Sequence, residues 1–437
     1  MKRLLILVMA GLSVPLGAAG RIPSTLGECI GYAMEHNLRI QEHELSVRQK
    51  ETAYTRARLS VLPSFALYGS GNFNWGRSVD MQELVIIKNK LSESVNLSVG
   101  TEWTIFHGLS GQNMIRAAKS DLDATLLDNS RLRNEISLSI TETYLELILS
   151  EELAAAAENN YERILSEKKN VATLVKAGSQ PGSALYNMES QCAGELSRMI
   201  GLQCDNKRNI MKLAQLLNLQ YDGNYRTVRS LIEELAPPPS ATAEEILTYA
   251  EHRPDILSLK RTMESKKHLI AAAKGTASPT FSLSGAYSSY FSSTAEGNFG
   301  KQLENNVNPS VGISVNIPLF DGFAGAQRIR DSKIEYERAR ILVEKQLSEL
   351  SATIQGAFIE SENRYQAMLA AKEKMASAEK LMDVSLSKFK HGNITAIEYT
   401  VSRTDFLSAQ SEYLRCKWQY IFQLKIIDYY RGIPIEL

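Results

Sequence analysis

The chain contains 437 residues, and its 49 lysine and arginine residues balance 49 aspartate and glutamate residues, so the formal net charge is zero. This length is ample for a sizeable hydrophobic core. A zero net charge argues against a nucleic-acid-binding protein, which needs a basic surface. The 12 proline and 26 glycine residues are too few for a disordered or fibrous chain.

The start of the chain has the pattern of a secretory signal peptide. Lys2 and Arg3 form a short basic segment, residues 4–16 are almost wholly apolar, and small residues occupy positions 18–20. The apolar run is too short for a helix that spans a bilayer, which needs about 20 residues. We therefore expect residues 1–20 to be removed and the mature protein to leave the cytoplasm.

The sequence predicts two divergent copies of one unit of about 215 residues, because four landmarks recur in the same order at an almost constant offset. The matching segments are 62–65 and 278–281, 106–108 and 320–322, 176–178 and 390–392, and 33–36 and 250–253. We assign the first repeat to 21–236, a proline-rich linker to 237–242 and the second repeat to 243–437, since consecutive prolines favour an extended segment.

Both copies are predicted to contain a helix, two strands, a long helix and a further helix. In the first copy these lie over about 25–61, about 64–76, about 95–106, 110–177 and 183–218. In the second copy they lie over about 243–275, about 280–291, about 309–319, 324–391 and 394–431. Apolar residues recur every three or four positions in the long helices, which at 68 residues would each measure about 100 Å. Two shorter helices stacked end to end match that length, which favours extended coiled-coil packing; a dimeric coiled coil without a channel is the alternative.

The predicted strands alternate between apolar and small polar residues. Val95, Leu97 and Val99, for example, alternate with Asn96 and Ser98. This period and the strand lengths of 10–12 residues fit tilted transmembrane strands, with a half-buried soluble sheet as the alternative. The segments 76–94 and 292–308 are predicted to be irregular outward loops.

Four strands are too few to close a membrane barrel, and open strand edges are not tolerated in lipid. If the strands span a membrane, two copies of the chain would supply eight strands and three copies would supply twelve. The candidate aromatic girdle residues are Trp75, Trp103, Phe281 and Phe320.

We predict no enzymatic activity, because the sequence contains no nucleophile–base constellation, phosphate-binding loop or metal-ligand spacing. We also expect no cofactor. Two functions compete at this point: a channel through a membrane, and a coiled-coil scaffold or adaptor without a pore. The alternating strands favour the first, since an adaptor has no use for lipid-facing strands.

The chain resembles TolC-type outer membrane efflux proteins, the outer membrane factor family. The resemblance rests on Pro-Leu-Phe-Asp-Gly at 318–322, Phe-Lys-His-Gly-Asn-Ile-Thr at 389–395, Leu-Gly-Glu-Cys-Ile at 26–30 and the order of elements in the two copies. It implies a mainly α fold with a membrane β-barrel part: a homotrimer with a twelve-stranded outer-membrane barrel on a long periplasmic α-helical tunnel. It also implies an outer-membrane location with most of the chain in the periplasm, and as partners a periplasmic adaptor protein, an inner-membrane pump and outer-membrane lipid. The two competing functions are then a passive outer-membrane export duct and a periplasmic coiled-coil scaffold or adaptor without a pore.

The resemblance further implies a constriction at the helical tips, residues 178–182 and 392–395, at the far periplasmic end of the tunnel. The candidate gate positions are Gly178, Gly182, Phe389, Gly392, Ile394 and Glu398. Several positions depart from the family's polar latch: Phe389 lacks a hydroxyl, Ile394 replaces a basic residue, and the first copy has Ala184 where Glu398 stands in the second. We hypothesise that three Glu398 carboxylates form a cation-attracting ring. A solvated or adaptor-facing glutamate is the alternative.

Overall fold

The computed structural model describes residues 23–79, 86–220 and 235–435, and the fold is mainly helical with one small sheet. The predicted signal peptide and residues 80–85 of the first predicted loop lie outside the described residues. The elements are α1 (Leu26–His36), α2 (Leu38–Leu59), β1 (Ser64–Val79), β2 (Ile86–His107), α3 (Ser110–Lys176), α4 (Gly182–Leu216), α5 (Ala243–Glu251), α6 (Pro254–Gly275), β3 (Thr280–Ser292), α7 (Phe299–Asn305), β4 (Asn308–Asn316), α8 (Ala324–Lys390) and α9 (Ala396–Arg431).

Two helices of equal length dominate the molecule. α3 and α8 have 67 residues each, so each is about 100 Å long. α3 packs against α2, α4, α6 and α9, and α8 packs against α6 and α9. In the described part of the chain, no helix has both the length and the apolar character that crossing a membrane requires.

The prediction of one continuous helix over 25–61 is wrong, because Asn37 separates α1 from α2. Asn37 has an extended backbone (φ −70°, ψ 124°), and its side-chain oxygen accepts a hydrogen bond from the Arg39 amide at 2.9 Å. Its side-chain nitrogen donates to the Leu216 carbonyl at 2.8 Å. Asparagine at this position satisfies a free amide of the new helix, and its contact with the end of α4 fixes the break.

The continuous helix predicted over about 243–275 is also broken, here between Glu251 and Pro254. Proline fits the first position of a helix, because the amide hydrogen it lacks would have no partner there. The preceding Arg253 is 6% exposed, and its guanidinium binds Asp255 at 2.8 Å and the Tyr429 carbonyl at 3.1 Å. It also lies 4.1 Å from the centre of the Tyr429 ring, so this break is tied to α9.

A tight glycine contact joins the sheet to the helices. Gly108, between β2 and α3, has φ +54°, which glycine adopts without strain. A Cβ atom there would lie 2.3 Å from the Gly275 carbonyl oxygen, and a Cβ at Gly275 would lie 2.5 Å from the Gly108 oxygen. The two backbones can approach this closely only because neither residue has a side chain.

The four strands form one antiparallel sheet in the order β1-β2-β3-β4. The loops predicted over 76–94 and 292–308 are partly regular. β1 and β2 continue as a paired hairpin to Val79 and Ile86, and the second loop contains α7. The hairpin was missed because Lys, Asn and Ser residues obscure its alternation, and a seven-residue helix is too short for its periodicity to be recognised.

The buried core follows the helices as separate clusters. The largest joins α1, α3, α4 and α9 around Ile140, Leu147, Leu213 and Ile421. A second cluster lies where α3, α4, α8 and α9 approach the tips, and a third joins α5 to α8 around Ile354. The second cluster positions the candidate gate.

Candidate functional site

Both helical tips reverse through the same glycine turn. Gly178 and Gly392 have φ values of +71° and +75°. The amides that follow them, of Ser179 and Asn393, donate to the Leu174 and Lys388 carbonyls at 2.9 Å. This bond across six residues defines the Schellman motif, which satisfies the last carbonyls of a helix. The two predicted tip glycines therefore end α3 and α8.

The tip of the second half continues with a capping box. The Thr395 hydroxyl accepts from the Glu398 amide at 3.2 Å, and the Glu398 carboxylate accepts from the Thr395 amide at 2.8 Å. This reciprocal pair satisfies two amides at the start of α9. Glu398 is exposed. Its carboxylate thus has a local structural role, whatever it faces in an assembly.

Two other predicted gate residues lie in the core of the protomer. Phe389 is 8% exposed and stacks on Tyr399, with ring centroids 5.4 Å apart and planes 8° apart. Ile394 is half-buried and packs against the same cluster. Apolar packing therefore replaces the polar side chains that the resemblance leads one to expect at these positions.

A buried polar cluster next to this stack was missed by sequence reasoning. The Tyr399 hydroxyl donates to the Glu167 carboxylate at 2.9 Å, and one Arg403 guanidinium nitrogen lies 3.9 Å from the other oxygen of Glu167. A second Arg403 nitrogen donates to the Asn160 carbonyl at 3.1 Å. Tyr399 is 1% exposed and Arg403 is 6% exposed. The cluster joins α9 to α3 about three turns above the tip.

The electrostatics of the cluster follow from burial. Burial raises the pKa of the Tyr399 phenol above its ordinary value, and the neighbouring Glu167 carboxylate raises it further. The Glu167 oxygen that faces Arg403 is buried without a hydrogen bond among the described residues, so the arginine charge is its main compensation. A charged residue within an apolar stripe, such as Arg403 between Tyr399 and Phe406, was the available sequence signal.

The tip of the first half has no equivalent among the described residues. α4 begins at Gly182 after Pro181, whose side chain carries no oxygen that could cap the helix. Ala184 and Met188 are buried there. The Lys168–Glu189 ion pair, at 3.3 Å, has both side chains more than one third exposed.

The sheet has one apolar and one polar face. Strand register places Leu67 beside Val99, Val99 beside Tyr287, and Leu283 beside Ile313. We call the side that carries these residues the apolar face. The opposite polar face carries Asn72, Asn96, Ser98, Ser282, Ser284, Ser288 and Ser314.

The predicted girdle residues lie at both ends of this sheet. Near the helices, the Trp103 indole donates to the Val61 carbonyl at 2.8 Å, Phe281 contacts Phe106 edge-on at 6.0 Å, and Phe320 is 77% exposed. At the far end, Trp75 is 78% exposed. Large aromatic side chains therefore flank the apolar face at both ends.

Comparisons with known proteins agree with this architecture. Residues 248–424 match the family model described as outer membrane efflux protein. Over these residues, which are less than half of the chain, the protein is similar to this family. The outer membrane efflux protein BepC of Brucella suis biovar 1 (strain 1330) is 21% identical over 315 residues, which are 70% of this chain and 65% of BepC. The chain thus aligns with slightly less than two thirds of BepC.

Solved structures share the fold of nearly the whole chain. A crystal structure of CusC, described in connection with transmembrane channel formation, matches with a TM-score of 0.82 at 15% identity, covering 97% of this chain and 96% of CusC. The Campylobacter jejuni CmeC outer membrane channel matches with a TM-score of 0.81 at 15% identity, covering 96% of this chain and 90% of CmeC. The predicted resemblance is therefore confirmed, and so is the prediction that the chain is not an enzyme, since the proteins that it matches are outer membrane efflux and channel proteins.

Proposed function

We propose that this chain is the outer-membrane exit duct of a tripartite efflux or type I secretion system. Three copies would form a twelve-stranded barrel in the outer membrane and a helical tunnel in the periplasm. Substrates would pass through it passively, and a periplasmic adaptor and an inner-membrane pump would deliver them at the tips. Most of each chain would lie in the periplasm.

The four-stranded sheet with one apolar face carries this proposal. Val311 and Ile313 on that face are 83% and 76% exposed, as is appropriate for side chains that contact lipid. β1 and β4 are the two edge strands within the described sheet, and their unpaired backbone groups need partners in lipid. Pairing β4 of one copy with β1 of the next would close the barrel. The resemblance to TolC-type proteins favours three copies.

The two ends of α3 and α8 would give the duct its polarity. Both helices begin beside the sheet and end at the glycine turns, about 100 Å away. The girdle candidates would mark the two membrane interfaces, and the positions Gly178, Gly182, Phe389, Gly392, Ile394 and Glu398 would surround the periplasmic opening. The buried link from Tyr399 and Arg403 to Glu167 would hold α9 in place there.

Reconstitution tests the duct directly. The purified protein is expected to require detergent, to run as a trimer after chemical crosslinking, and to produce stepwise ion conductance in planar bilayers. A water-soluble oligomer without conductance would instead support the periplasmic scaffold or adaptor. Crosslinking the segments 178–182 and 392–395 in cells would identify the adaptor.

A charge-neutral variant tests the proposed Glu398 ring. Glu398→Gln keeps the capping box, since glutamine also serves at this position, but removes the charge. We expect lower cation selectivity in planar bilayers than for the parent. Glu245→Gln is the matched control, because Glu245 forms the same capping box with Thr242 at the start of α5. Equal selectivity of Glu398→Gln and the parent would leave Glu398 with its capping role alone.

A further inference from the structure

The β3–β4 loop folds onto one particular face of the sheet. The Ser289 hydroxyl donates to the Leu303 carbonyl of α7 at 2.6 Å, and Phe291 contacts Phe299 edge-on at 5.1 Å. Ser289 and Phe291 pair with Leu97 and Val95, and thus lie on the apolar face. α7 therefore packs on the apolar face of the sheet, on the side opposite the polar face.

Much of the hydrogen bonding that holds the loop in this position comes from one buried side chain. Gln302 is 4% exposed. Its side-chain oxygen accepts from the Ser292 amide at 2.9 Å, and the two hydrogens of its nitrogen are shared among the carbonyls of Ser292, Ala295 and Gly297 at 3.0–3.1 Å. Asn306 adds a bond to the Tyr290 carbonyl at 2.8 Å. Because these bonds pair backbone groups of the loop with side chains of the same loop, α7 is fixed against the sheet.

The height of α7 on the sheet corresponds to the edge of a bilayer. Phe281 lies near the helices and Phe291 lies ten positions further along β3. Ten residues span about 34 Å of strand, or about 25 Å across the membrane at a tilt near 45°, which equals the apolar band of such barrels. Phe299 is 47% exposed beside Phe291. Phe291 is level with Val95 and Gly71, and Phe73 and Trp75 follow two and four positions further along the apolar face.

We propose that α7 lies against the lipid-facing side of the sheet, in the headgroup layer of the outer leaflet, and that Phe299 contacts lipid. The inference rests on the proposed duct, in which the apolar face meets lipid. The exposed charges of the loop, Glu296, Lys301 and Glu304, nearly cancel, so net charge contributes little. Aromatic residues favour the boundary between headgroups and acyl chains, and this preference carries the contact. The loop therefore does not occlude the mouth of the channel.

Spin-label accessibility in proteoliposomes tests this placement. Phe299→Cys is compared with Tyr290→Cys, which lies at a similar height on the polar face and is 49% exposed, in a background of Cys204→Ser and Cys416→Ser. Collisions with membrane-soluble oxygen, relative to a water-soluble nickel chelate, are expected to be several-fold more frequent at position 299. Vesicles with and without anionic lipid should give the same ratio, because the contact is apolar.

A third label separates this inference from the proposed duct. Ile313→Cys reports on the centre of the apolar face. If position 313 is oxygen-accessible but position 299 behaves like position 290, the proposed duct is retained and the lipid contact of α7 is refuted. If position 313 is also accessible to the nickel chelate, the sheet does not meet lipid and both proposals fail. A ratio at 299 that rises only with anionic lipid would refute the apolar contact.

Discussion

The two helical tips have the same backbone turn but different chemistry beyond it. Each begins with a glycine in a left-handed conformation that closes a Schellman motif. After the first turn, α4 begins at Gly182, directly after Pro181, and buries Ala184 and Met188. After the second turn, α9 begins with a capping box and buries Tyr399 and Arg403 against Glu167. Glycine therefore sets the reversal, and the residues after it decide how firmly each returning helix is held.

Both tips bury side chains, and they differ mainly in whether the buried contacts depend on direction. Apolar contacts at the first tip tolerate a small slide between helices with little loss. A hydrogen bond and a buried ion pair weaken steeply when their geometry changes. We therefore expect α9 to hold one position relative to α3, and α4 to be held there mainly by apolar packing, with the exposed Lys168–Glu189 pair adding little. Substitutions at the two tips test this difference.

The largest effect is expected from Arg403→Ala. It leaves the Glu167 carboxylate, with a side-chain exposure of 17%, without its positive partner, which should cost about 3 kcal/mol of unfolding free energy. Urea unfolding in detergent, followed by helical circular dichroism, measures it. Lys168→Ala, which breaks the exposed pair at the first tip, should cost less than about 1 kcal/mol. Equal losses would remove the contrast. If Arg403→Ala does not fold, the double variant Arg403→Met with Glu167→Gln should recover folding, because no charge is left unpaired.

Tyr399→Phe should have an intermediate effect. It removes the hydroxyl that donates to Glu167 but keeps the ring that stacks on Phe389. A hydrogen bond to a charged acceptor contributes about 2 kcal/mol. Tyr186→Phe is the control at the first tip, because Tyr186 is 73% exposed and its change should lie within about 0.5 kcal/mol. A loss for Tyr399→Phe no larger than that of the control would contradict the role of the bond.

Stability should fall at alkaline pH, and Tyr399 should contribute to the fall. Its pKa is raised in the folded state, so the folded protein retains a proton that the unfolded chain loses above about pH 10. The stabilisation is fully present below that pH and is lost as the pH rises. Burial also raises the pKa of Tyr144 and Tyr420 to about 12. Several tyrosines therefore contribute to the change in stability of the parent protein with pH. Urea midpoints between about pH 9 and 11 should decline less steeply for Tyr399→Phe than for the parent. Parallel slopes would exclude Tyr399 as a contributor.

The smallest effect is expected from the cap. Thr395→Ala removes the hydroxyl that accepts from the Glu398 amide and should cost about 1 kcal/mol. Because the cap holds only the first turn of α9, the loss should appear as faster amide exchange near residue 396, with the centre of the helix unchanged. Thr242→Ala at the start of α5 provides a matched comparison. Unchanged exchange next to position 395 would show that the capping box has no role in holding this tip.

Much of the fold could be predicted from local signals in the sequence. The long helices predicted over 110–177 and 324–391 are found as Ser110–Lys176 and Ala324–Lys390, because dozens of residues repeat the helical period and glycine ends each run. The break at Pro254 had a visible signal that was overlooked. The break at Asn37 lies inside a helical pattern, and its contact with Leu216 is 179 positions away.

The candidate site was only partly predictable for the same reason. Tip glycines are local features, and both were found. The bond from Tyr399 to Glu167 joins residues 232 positions apart, and no periodicity in either helix indicates it. α7 also depends on distant contacts, since Gln302 satisfies carbonyl groups of three other loop residues. The local pattern of a sequence identifies its helices and strands. How these elements pack depends on contacts between residues far apart in the chain, which a single sequence does not reveal.

The contact between Gly108 and Gly275 fixes the end of α3 that lies at the sheet. With the two backbones in direct contact, no side chain lies between them that could rearrange to absorb movement. α3 then behaves as a lever about 100 Å long with its fulcrum at the sheet. A rotation of about 3° at that point would move the far end by about 5 Å, roughly one helical turn. A displacement of that size at the tips therefore needs almost no change in the sheet.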